Sequence, residues 1–147
     1  MSVENMVKTI KQIHNEDVVL IKIGSFYHGY RKDSYILSYL FGYKRKIIGE
    51  NFGDTGFPVT AIQKVKYALE NNKINYITID RAHNYEVEDQ VDFKSENNYK
   101  KTYEKAHKYI GISNRIYEIQ RFLLENIEDD DIKTKIERIE KILYEAG

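Results

Sequence analysis

Cysteine is absent from the 147 residues, which excludes disulfides, thiolate nucleophiles and thiolate metal sites. Tryptophan is absent too, and the single proline, Pro58, leaves no proline-rich linker. No apolar run approaches the ~20 residues that span a bilayer. The opening MSVENMVKTIKQ lacks the apolar stretch of a signal peptide. A soluble cytoplasmic protein with no membrane partner is expected. No sign of charge is in excess: 23 Lys and Arg face 23 Asp and Glu. The chain is therefore not a binder that works through its total charge. What remains is 41% hydrophobic, enough for a core and too much for general disorder. The length suits one domain, or a small domain with an appendage.

The neutral total hides an uneven distribution. Residues 18–49 carry six cations (Lys22, Arg31, Lys32, Lys44, Arg45 and Lys46) against one acid, Asp33. Residues 113–147 carry six cations against nine acids. A locally basic face binds phosphate even when the net charge is nil, whereas a charge run is also the ordinary form of a solvated face.

Hydrophobic periodicity gives the elements. Met6, Ile10 and Ile13 recur at helical spacing in a short N-terminal helix. The run 18–23, ending at Gly24, predicts a buried strand, and 25–30 continues extended or turns. Asp33 suits the N-cap of a helix over 34–41, ended by Gly42. Residues 43–48 suit a strand, and 49–56 read as a polar loop. Thr60 suits the cap of a helix whose stripe is Ile62, Val65, Ala68 and Leu69, and 74–80 alternates like a strand. The acidic stretch 81–98 is an edge strand or a long loop. Beyond it, Ile112, Ile116, Ile119, Leu123 and Ile127 form an apolar seam on a helix. After the acids at 128–131 a second helix carries Ile132, Ile136, Ile139, Ile142 and Leu143. The pattern predicts an α/β (α+β) domain with a mixed sheet over 1–94, then a helical hairpin over 95–147. Its seams must be buried against each other, the first domain or another chain. Homodimerisation or a partner protein is the expectation there.

Leu20-Ile-Lys-Ile-Gly-Ser-Phe-Tyr-His-Gly-Tyr30 resembles the N-terminal mismatch-recognition domain of the MutS mismatch-repair family. There an apolar strand leads into Gly-Asp-Phe-Tyr-Glu, which here reads Gly24-Ser25-Phe26-Tyr27-His28. The family continues with a helix, a basic strand region, a Gly-x-Pro segment opening a second helix, and a strand. The counterparts here are Lys44-Arg45-Lys46, Gly56-Phe57-Pro58, the helix after Thr60, and 74–80. The resemblance covers roughly the first half of the chain. It implies binding of duplex DNA, mismatched DNA included, with Phe26 as a wedge that unstacks a base step. His28 stands where the family has a base-bonding Glu, and Ser25 where it has Asp. No Gly-x-x-x-x-Gly-Lys-Ser/Thr loop is present, so the ATPase of the family is not expected.

The expected DNA-binding residues are Phe26, His28, Arg31, Lys32, Lys44, Arg45 and Lys46, the cations contacting phosphate. Alternation places either Phe26 or Tyr27 in the core. The cations also suit a solubilising strand edge. Tyr35, Tyr39 and Tyr43 form either a core-facing ladder or a base-stacking one. His14, His28, His83 and His107 show no metal-ligand spacing, and neither a cofactor nor an enzyme activity is expected. Two rivals remain. One is a protein-interaction adaptor that keeps the fold without DNA recognition. The other, more remote, is a metal-dependent nuclease using Glu86, Glu88, Asp89 and Asp92.

Overall fold

The computed structural model describes residues 2–47 and 52–145. A six-stranded mixed sheet organises the first part, in the order β3-β4-β2-β1-β5-β6. Its centre is β1 (Val18–Ile23), parallel to β5 (Tyr76–Asp80) and antiparallel to β2 (Phe26–Tyr30). The β1–β2 hairpin turns at Gly24, whose φ of +63° is available to glycine without strain. β4 (Gly53–Pro58) pairs antiparallel with β2 and with the short β3 (Lys46–Ile47). β6 (Glu86–Val91) closes the far edge against β5.

Both sheet faces are covered by apolar side chains, because β1 and β5 are buried on both sides. On one face Val18, Leu20, Tyr27, Phe57 and Tyr76 meet Ile36 and Leu37 of α2 (Lys32–Phe41), Val65 and Leu69 of α3 (Ile62–Asn71), and Tyr99 of α4 (Tyr99–Glu125). Gly29 lets α2 approach closely: a Cβ there would collide with Leu37. On the other face Val19, Ile21, Tyr30, Phe52, Ile77 and Ile79 meet α1 (Val3–Ile13).

Several local expectations are corrected. The stripe of α1 is Val3, Val7 and Ile10, while Ile13 is 77% exposed. Ser2 caps this helix by accepting from the Asn5 N–H. Asp33 does not cap α2. It lies buried in the first turn, and Arg31 takes the cap position with φ +51°. Thr60 belongs to a 3-10 turn, Val59–Ala61, that precedes α3. Residues 53–56 are strand, not loop, with Gly53, Asp54 and Thr55 buried between β2 and β3. The expected strand over 43–48 shortens to β3. Ile48 and residues 49–51 lie outside the described residues. Of 81–98, Glu86–Val91 forms the edge strand.

The chain divides into two compact units, 1–110 and 111–147. The second holds the end of α4 and α5 (Ile132–Tyr144). Within it Leu123, Ile132, Ile136 and Ile139 are half-buried. Ile112, Ile116, Ile119, Phe122 and Ile127 are exposed, so within this unit most of the seam expected on the first helix is left uncovered. No helix among the described residues is long and apolar enough to cross a membrane.

Candidate nucleic-acid interface

Strand alternation sorts the aromatic residues of β2. Tyr27 turns to the core, where its ring stacks on Phe57 at 5.8 Å and its hydroxyl donates to Glu88 at 3.0 Å. Burial above all, then that carboxylate, pushes its phenol up to about 12. Phe26 turns to the other face at the hairpin end and is 43% exposed. His28 and Tyr30 follow on the same side. Their rings stack at 6.0 Å, and Tyr30 stacks on Phe52 at 4.9 Å.

Phe26, His28, Lys44, Lys46, Asp54 and Gly56 line one cavity of about 310 Å³. Register builds it: His28 faces Gly56 across β2–β4, and Lys46 faces Asp54 across β3–β4. The imidazole lies over Gly56, where a Cβ would come within 3.2 Å of the ring. Its Nδ1 sits 3.0 Å from Asp54 Oδ1. A carboxylate only accepts, so Nδ1 carries the proton, and in the neutral ring Nε2 is left as an acceptor. Lys44 and Lys46 are exposed at the rim.

The other three expected residues gather elsewhere. Arg31, Lys32 and Arg45 line a second cavity of about 420 Å³ with Lys11, Asn15, Tyr35 and Tyr103. Arg45 donates from Nε to Ser34 Oγ at 2.8 Å, and its guanidinium lies 3.8 Å over the Tyr35 ring. Lys32 sits 5.1 Å over Tyr103. Arg31 reaches Glu4 at 3.6 Å and lies over Phe52. The run Lys44-Arg45-Lys46 is thus divided, since neighbouring residues of an extended chain point opposite ways. Lys44 and Lys46 go to the Phe26 cavity and Arg45 to the other. Sequence reasoning misses Asp54, Lys11 and Tyr103, and finds Gly56 only as the start of the Gly-x-Pro segment. The available signal was register, with Gly56 opposite the motif histidine.

The tyrosine ladder is engaged in packing. Tyr35 meets Tyr103 edge-on at 5.9 Å, Tyr39 meets Tyr109 at 5.4 Å, and Tyr43 stacks on Phe57 at 5.5 Å beyond the helix end. The acids of β6 and after it have separate partners. Glu88 binds Lys22 and Tyr27, Asp89 binds Lys66, and Asp92 accepts from Asn75 and the Lys94 N–H. Among the described residues no three His, Asp or Glu side chains converge as metal ligands would.

The family model described as MutS domain I matches residues 1–100. No curated protein matches the chain.

Proposed function

The chain belongs to the MutS domain I family through residues 1–100, and from that premise we propose that it is a non-catalytic module that binds duplex or distorted DNA. Phe26 is the wedge. Its exposed ring enters a base step, and a mismatched step is cheaper to open because it has lost pairing and stacking. Lys44 and Lys46 contact phosphate beside it. His28 stands where the family has a carboxylate; with Nδ1 held by Asp54 at 3.0 Å, Nε2 is the ring atom left to hydrogen-bond a base or phosphate. The observation that carries the reading is the exposed Phe26 beside two unburied lysines on one cavity.

The test compares a mismatched with a fully paired duplex of the same length. The mismatched duplex binds more tightly, and Phe26→Ala removes the preference while leaving most of the homoduplex affinity. Two phosphate contacts give a slope of about −2 in log K against log salt. Equal binding of both duplexes by the unaltered protein removes the mismatch part, and a salt-independent affinity removes the phosphate contacts.

A second role rests on the second unit. Ile116, Ile119 and Phe122 are each more than half exposed on one helix, and apolar side chains grouped in this way mark interaction surfaces. Self-association through 111–147 covers it, and it is compatible with DNA binding by the first unit. Should DNA binding fail at low salt, this surface supports the adaptor reading instead.

A further inference from the structure

The cavity between α1, α2 and α4 has a charge balance that the DNA-wedge reading does not use. Four cations line it, and their compensation differs. Lys11 is paired with buried Asp33 at 3.1 Å and Arg31 with Glu4 at 3.6 Å. Lys32 and Arg45 rest instead on the faces of Tyr103 and Tyr35. An aromatic face holds a cation without neutralising it. No carboxylate lines this cavity, and among the described residues Lys32 and Arg45 make no ion pair, although Glu16 shares the neighbouring cavity with Lys32. A phosphomonoester carries about −1.5 to −2 charge at pH 7 and three strong acceptors. That is the complement of this pair.

Volume and shape narrow the ligand further. About 420 Å³ is more than an inorganic phosphate fills, and it falls in the range of small-molecule sites. Arg45 is planar and is already stacked on Tyr35 at 3.8 Å, and guanidinium planes stack nucleobases. Asn15 adds an amide that both donates and accepts. We propose that this cavity binds a nucleoside phosphomonoester, with Lys32 and the edge of the Arg45 guanidinium meeting the phosphate and the base laid against the Arg45–Tyr35 stack. That chemistry has two sources: a free nucleotide, or the phosphorylated end of a DNA strand.

Calorimetric titration of the whole chain with deoxyadenosine monophosphate, deoxyadenosine and inorganic phosphate tests this. The monophosphate binds saturably, and deoxyadenosine, which lacks the charge-assisted contacts, and inorganic phosphate, which lacks the base stack, each bind at least about tenfold more weakly. Lys32→Gln, an exposed change that leaves the fold intact, weakens the monophosphate by about tenfold. Arg45→Gln does the same, and circular dichroism checks that this variant is folded. Blunt duplexes with a 5′-phosphate or a 5′-hydroxyl separate the sources. Preference for the phosphorylated end, lost in Lys32→Gln, assigns the site to strand ends; no preference, with monophosphate binding retained, assigns it to free nucleotide. The proposal is overturned if the monophosphate does not saturate, if deoxyadenosine binds equally, or if Lys32→Gln changes nothing. The two cavities share no lining residue, so this result is independent of the mismatch test.

Discussion

Replacing Lys11 by methionine probes the one carboxylate buried at the helix junction of the first unit. Asp33 is 1% exposed and accepts from three donors. These are the Val19 N–H at 3.1 Å, the Tyr99 hydroxyl at 2.6 Å and Lys11 Nζ at 3.1 Å. The three come from β1, α4 and α1, so one side chain of α2 ties four elements together. Burial raises the Asp33 carboxyl above its ordinary range, against the pull of Lys11 and the hydrogen bonds. Methionine keeps the stem and deletes the charge. Stranding one member of a buried pair costs about 3–5 kcal/mol. The Lys11 side chain keeps 18% of its exposure, so water screens part of the interaction, and a loss of roughly 2–3 kcal/mol at pH 7 is expected. Tyr99→Phe, which removes a hydrogen bond to a charged group, costs about 1.5–3 kcal/mol. Urea unfolding at several pH values supplies the decisive comparison. A carboxyl whose folded pKa is raised favours the fold when protonated, and that contribution is lost as pH rises through the folded value. Deleting Lys11 raises the folded value further. The Lys11→Met penalty is therefore greatest above both folded values and shrinks as pH falls through the variant's folded value to that of the unaltered protein, which itself lies above the ordinary value of about 3.9. Asp33→Asn in the same background recovers part of the loss at pH 7. A penalty that stays constant with pH would falsify the electrostatic account and leave only packing of the Lys11 stem.

Two further outcomes follow from the packing. Gly29→Ala drives a methyl into Leu37, itself fully buried, and costs about 1–3 kcal/mol by overpacking; in a Leu37→Ala background the same change costs less, as a double-mutant cycle by thermal or urea unfolding will read. In sedimentation velocity the protein forms dimers at micromolar concentration, and Ile116→Glu with Ile119→Glu yields monomers of unchanged helicity; dimers that persist in the double variant place the interface elsewhere.

The strands and helices with strong apolar runs were legible because burial alone specifies them. Val18 to Ile21 are buried as their composition demands, whereas β5, read as an alternating strand, is buried along its whole length, Thr78 and Asp80 included. The two short motifs behind the family resemblance turn out to be cross-strand neighbours, with Tyr27 opposite Phe57 and His28 opposite Gly56. Their co-occurrence in the sequence thus had a spatial cause. The strand holding Gly56 was hidden by its own composition. Gly53, Asp54 and Gly56 read as turn residues, yet each is fixed by a neighbour: Gly53 by the Arg45 side chain, Asp54 by His28, and Gly56 by the same imidazole. Asp33 misled for a related reason. An acid at a helix start is ordinarily a cap, and only the tertiary fold brings Lys11 and Tyr99 to it. The division of Lys44, Arg45 and Lys46 between two cavities follows from alternation, but a basic run carries no sign of which side each residue takes.

The two margins of the sheet carry opposite charge. Lys44 and Lys46 flank the β3 edge, whereas the β6 edge presents Glu86, with Glu88 and Asp89 partly offset by Lys22 and Lys66. In a polyanion's field the first unit, with 17 cations against 14 acids over residues 1–110, feels an attraction and a torque together. It is turned before contact so that β3, with Phe26 nearby, leads and β6 trails. Like margins also repel, which disfavours β3-to-β3 and β6-to-β6 strand pairing between molecules. Neutrality in this chain is therefore a division of charge: the sheet-bearing unit keeps a small positive excess and a polarity from β3 to β6, and the acids of the second unit balance the total.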